Sequence, residues 1–125
     1  MTVESLAGEL QAVRKYFERT ISVFDDNDST FSPKPEMFTV AQQVYHVAQT
    51  IDWAVAGTFG DGWNMDFEQH ERESREVQSL TEAKAAFARA MENAEVVIRS
   101  QTPETLASRF PEDDPIFPGK TRMEI

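Results

Sequence analysis

The chain contains no cysteine, so disulfides, thiolate metal ligands and a cysteine nucleophile are all excluded. Basic residues are scarce too: 12 Lys and Arg face 22 Asp and Glu, for a formal net charge of -10. A nucleic-acid binder needs a basic stripe to displace counterions, and none is visible. An anionic membrane surface is disfavoured on the same ground. No segment approaches the roughly 18 consecutive apolar residues of a membrane span. The first residues, Met1 to Glu9, carry acids where a signal peptide carries bases, and include no apolar run. These absences set the expectation of a soluble, cytoplasmic protein. Internal repeats, low-complexity tracts and the alternating pattern of strands are missing as well. Asn27-Asp28-Ser29 matches a glycosylation sequon, a match without weight where no secretion signal precedes it.

What remains is enough for one folded unit. A length of 125 residues implies a single domain, expected over residues 1–125, and 40% hydrophobic content with nine phenylalanines and two tryptophans supplies a core. Val3, Leu6, Leu10, Val13, Phe17, Ile21 and Phe24 recur at steps of three and four, which predicts an amphipathic first helix with Thr2 as N-cap. The run Asp25 to Ser29 ends it, and Pro33 and Pro35 hold the next loop open. Thr39-x-x-Gln42 is a capping box that starts a second helix, with Val40, Val44, Val47, Ile51 and Val55 as its stripe and Gly57 as its expected end. Residues 58–80 form a long polar connection with Phe59, Trp63 and Phe67 near its start and room for a short helix within 68–76. A third long helix begins near Thr81 and carries Ala83, Phe87, Ala90, Ala94 and Val97, alanines that suit close packing. Thr102-Pro103-Glu104 restarts a short helix. After a proline-rich loop with Glu112, Asp113 and Asp114, Thr121-x-x-Glu124 is a second capping box. Three long helices and the first turn of a fourth predict an all-α, antiparallel up-down four-helix bundle, cut short after the start of its fourth helix.

The chain has two histidines. His46 stands on the second helix, one residue off its apolar stripe, with Gln42, Gln43, Gln49 and Thr50 as helical neighbours. Imidazole there is a candidate metal ligand, although a boundary histidine donating to a carbonyl or water is the plainer reading, and a catalytic zinc needs three protein ligands. His70-Glu71-Arg72-Glu73-Ser74 departs from the H-E-x-x-H metalloprotease pattern at Ser74 and sits in a charged stretch, which favours a solvated loop histidine. Gly57-x-x-Gly60-x-Gly62 follows a helix rather than a strand, so a phosphate-binding fingerprint gives way to a flexible turn. The acids at 112–114 lack the alternate spacing of a calcium loop. Trp53 and Trp63 flank the glycine-rich turn and are expected to cover the mouth of the bundle beside the second helix, as a pocket wall or as plain packing.

Three stretches together resemble the DinB-like superfamily of four-helix proteins, a group associated with metal-dependent activity. They are the N-terminal amphipathic helix, Phe38 to Ala48 with His46 inside it, and Phe117 to Ile125, which is similar to the entry of that family's last long helix. The resemblance implies a divalent metal, zinc or nickel, held by three histidines: one on the second helix and two spaced by four on the last. His46 matches the first. No residue of this chain matches the other two, and His70 lies in a different element. The resemblance further implies a thiol-dependent transferase or a hydrolase, acting with a small-molecule thiol. The alternative is a non-catalytic helical-bundle homodimer acting as an interaction or structural protein. A bundle without its fourth helix exposes its core, so the chain is expected to form a homodimer or to be part of a longer protein, and to bind metal weakly through His46 alone.

Overall fold

The structure is a computed structural model and describes residues 2–124. Among these, five α-helices form, and the only β-type pairing is an isolated antiparallel bridge between Arg109 and Thr121. Helix α1 spans Val3–Ile21, α2 Val40–Phe59, α3 Phe67–Glu76, α4 Leu80–Arg99 and α5 Pro103–Ala107. Single 3-10 turns occupy Asp26–Asp28 and Arg122–Glu124. Met1 and Ile125, the ends of the expected domain, lie outside the described residues.

Caps fix the helix starts. The Thr2 hydroxyl accepts the Ser5 N–H, and the Ser5 hydroxyl accepts in return from the Thr2 N–H. At α2 the Thr39 hydroxyl accepts from the Gln42 N–H, while Gln42 Oε1 accepts from the Thr39 N–H. Both orphan donors at each start are thereby satisfied. Three boundaries differ from expectation. Helix α1 stops at Ile21, leaving Phe24 in an exposed turn. Helix α2 runs through Gly57 to Phe59, and Gly60 closes it. The stretch at 67–76 is a full α-helix, so His70 is a helical residue and not a loop one. At Thr121 only half of the capping box forms: Glu124 Oε2 accepts from the Thr121 N–H at 2.7 Å, while the Glu124 N–H donates to the Thr121 carbonyl, over a single 3-10 turn.

Helix α4 is the centre of the core. Leu80, Ala83, Ala86, Phe87, Ala90 and Met91 are all buried, against Ala41, Val44 and Ala48 of α2 and Ile21 of α1. Alanines on both α2 and α4 let the two backbones approach closely. Phe17 of α1 lies on Phe87, with ring centroids 4.5 Å apart.

Contacts between helices give their directions. Glu4 pairs with Arg99 at 3.0 Å at one end of α1, and Lys84 Nζ donates to the Phe24 carbonyl at 3.0 Å beyond the other, so α1 and α4 are antiparallel. Helices α2 and α4 instead begin together. The Ser29 carbonyl accepts the Ala41 N–H at 3.1 Å, and the Ser29 hydroxyl accepts the Leu80 N–H at 2.8 Å. Their other ends also coincide, since Val55 and Thr58 share a cavity with Ala94 and Ile98. The all-helical class therefore holds, but the up-down order does not carry through: α2 and α4 run parallel. Parallel neighbours need a returning connection, and α3 provides it. Gln42 Nε2 donates to the Arg75 carbonyl, Gln49 Nε2 to the His70 carbonyl and Trp53 Nε1 to the Asn64 carbonyl, so α3 runs back along α2.

Candidate functional site

The returning helix creates the site. On α2, His46, Gln49, Thr50 and Trp53 fall at i, i+3, i+4 and i+7, one helical face. On α3, Phe67, His70 and Glu71 fall at i, i+3 and i+4. With Phe38 these residues line a cavity of about 360 Å³ between the two helices. Both histidines of the chain thus open onto one space, although they stand 24 positions apart in sequence.

The walls are aromatic. The His46 ring lies 5.7 Å from the Phe38 ring, and the His70 ring meets Phe67 edge-on at 6.2 Å. Trp53 lies 6.2 Å from Phe67 and 4.7 Å from Trp63. The outer side of Phe38 is covered by the Arg75 guanidinium, 4.6 Å from the ring centroid. His46 is exposed and His70 half-buried.

Gln49 locks α3 in place. Its Nε2 donates to the His70 carbonyl and to the Glu73 carboxylate, each at 3.1 Å, and its Oε1 accepts the Ser74 hydroxyl at 2.7 Å. Ser74, fully buried, is a structural residue, which explains why serine stands where the H-E-x-x-H pattern needs histidine. The seven-position step from Phe67 to Ser74, two helical turns, is the signal that would have found His70 from sequence.

The other motifs resolve into structure. A Cβ on Gly57 would lie 2.0 Å from the Trp63 ring, so this glycine is the seat of an indole. Gly62 has φ +115°, a turn position closed to most side chains. Trp63 packs on Phe110 and Phe117 and donates from Nε1 to the Asp114 carboxylate at 3.1 Å. Of the two tryptophans, only Trp53 borders the cavity; Trp63 ties the 60–66 loop to the C-terminal segment. The acid cluster is divided, because Asp114 also accepts the Ile116 and Phe117 N–H groups while the Glu112 carboxylate lies against Gly119.

Among the described residues, no three His, Asp or Glu side chains are grouped to hold a metal ion. The cavity offers two imidazoles and the Glu71 carboxylate without bringing them into one coordination set. His46 also borders a second space, an apolar groove of about 590 Å³ lined by Phe17, Ile21 and Phe24 of the α1 region and by Val40, Val44 and Val47 of α2. Comparison with known proteins places this geometry: the family model described as the DinB superfamily matches residues 9–124. No curated protein and no solved structure matches the chain.

Proposed function

The chain belongs to the DinB superfamily, and from that membership we propose that it is a ligand-binding domain whose working site is the α2–α3 cavity. His46 is the imidazole it offers to a divalent metal, zinc or nickel. A transferase acting with a small-molecule thiol, or a hydrolase, is the activity class that goes with this reading. The observation that supports it is the convergence of His46 and His70 on one aromatic-walled cavity. A catalytic zinc site needs about three protein donors. Among residues 2–124 no three such donors are grouped. The exposure of His46 leaves its imidazole open to an arriving ion.

Nickel is the useful probe, because paramagnetic broadening locates even a weakly held ion. In a nickel titration followed by NMR, the resonances of His46 and of its cavity neighbours Gln49, Thr50 and Trp53 are expected to broaden first, and His46→Ala to abolish the broadening of those neighbours. Broadening that survives His46→Ala unchanged sinks the metal reading. His70→Ala then tells whether the second imidazole shares the ion or faces a ligand beside it.

A second reading has its own support. The groove between α1 and α2 is apolar, and large side chains lining it are open: Phe31 is 61% exposed and Phe24 37%. Soluble monomers seldom leave such patches uncovered. A non-catalytic homodimer that buries this face is the alternative function.

A further inference from the structure

The adjoining side of α2 carries a different chemistry. Tyr45, Gln49 and Asp52 on α2 and Arg89 and Asn93 on α4 surround a cleft of about 450 Å³, floored by Ala48, Ala86 and Ala90. The volume falls in the range of small-molecule sites. The alanines alone are accounted for by the close approach of the two helices. The charged pair above them is not.

Arg14, Arg75 and Arg99 each hold a carboxylate within 4.0 Å. Asp52 and Arg89 border one cleft with opposite charges, yet among the described residues neither forms an ion pair or a side-chain hydrogen bond. Both border the alanine-floored cleft with their charges unpaired. Partial burial raises the Asp52 carboxyl above its ordinary range and the Arg89 charge opposes that rise, which places both groups in one electrostatic environment. Burial also raises the Tyr45 phenol, with Glu73, Glu82 and Asp52 adding to it, so negative potential gathers around Tyr45 and Asp52.

We propose that the α2–α4 cleft binds a small zwitterion, with Asp52 receiving its ammonium and Arg89 its carboxylate. A guanidinium presents parallel N–H donors matched to a carboxylate, and a carboxylate without a partner of its own receives an ammonium in charge-assisted hydrogen bonds. Asn93 and the Tyr45 hydroxyl add neutral donors and acceptors for the ligand's middle. A ligand carrying both charges meets each of these unpaired side chains with its opposite. This site does not depend on the His46 cavity, from which it is separated by Gln49, the one residue lining both.

The test uses L-alanyl-L-alanine as probe, with its N-acetyl and C-amide derivatives as single-charge controls, followed by backbone amide NMR. The dipeptide is expected to shift amides in residues 45–52 and 86–93, with Kd of about 1 mM. Asp52→Asn and Arg89→Gln, both at exposed helical positions, are each expected to weaken binding about tenfold, as is blocking either charge of the probe. An unchanged amide spectrum outside the cleft establishes that each variant is folded. Three results overturn the proposal: no shift at about 10 mM probe, shifts confined to other surfaces, or affinity in both variants equal to that of the unsubstituted protein. None of these bears on the nickel response of His46.

Discussion

Asp114 shows how much one side chain holds in this fold. It joins the turn at 116–117 to the indole of Trp63, and Trp63 in turn sits on Gly57 of α2. Desolvation pushes its carboxyl up, but hydrogen bonds from the Phe117 and Ile116 N–H groups and from Trp63, together with the Arg122 charge, outweigh that effect and leave it below the ordinary value of 3.8. The folded state therefore holds fewer protons than the unfolded chain around and below that value. The stability that results is complete above it and is lost as pH falls through the lower folded value. Acid titration followed by tryptophan emission is expected to show Trp63 becoming exposed in that range, and Asp114→Asn to remove the pH dependence of the step. Gln49→Ala makes a second test. It leaves the Ser74 hydroxyl buried without its acceptor, at about 1–3 kcal/mol, and should speed amide exchange in α3 more than in α4. Little of this was legible in the sequence. His46 was, because it sits beside an apolar stripe on a capped helix. His70 was not, because the nine charged and polar residues from Glu68 to Glu76 carry no apolar period and resemble a solvated loop. Ser29 appeared only as part of a sequon, since nothing local reports that its hydroxyl meets a helix 51 positions away.

At the scale of elements, the three long helices and the short one at 103 follow from periodicity and caps, and their starts agree with the Thr2, Thr39 and Thr102 signals. Ends were harder to place. Glycine near a helix terminus usually marks its close, but Gly57 lies within α2, where its missing side chain makes room for Trp63. That gives a prediction with an unusual sign. Glycine to alanine within a helix ordinarily stabilises by about 0.5–1 kcal/mol. Gly57→Ala is expected to destabilise instead, because the new Cβ would stand 2.0 Å from the indole. A red-shifted tryptophan spectrum and a lower Tm are the expected readings; a higher Tm with unchanged emission would show that the ring shifts freely.

The whole molecule is a helical layer built outward from α4, with one face left apolar. If a second copy covers the α1–α2 groove, sedimentation velocity at micromolar concentration should give a dimer, and Phe24→Lys with Phe31→Asp should give a monomer of unchanged helicity. A dimer of ordinary stability buries roughly 1,200–2,000 Å² in total. A folded wild-type monomer across the micromolar range would rule this assembly out. Helix direction was the feature furthest from the sequence, because an apolar stripe has the same period whichever way the chain runs. Its consequence appears in folding kinetics. The α2–α4 seam closes when Ser29 meets Leu80 across 51 residues, and drawing the ends of such a loop together costs about 3–4 kcal/mol of chain entropy. Burial along the seam repays that only after the contact is made, so the rate-limiting event in folding should be this distant meeting, with α1 and α3 ordering around it.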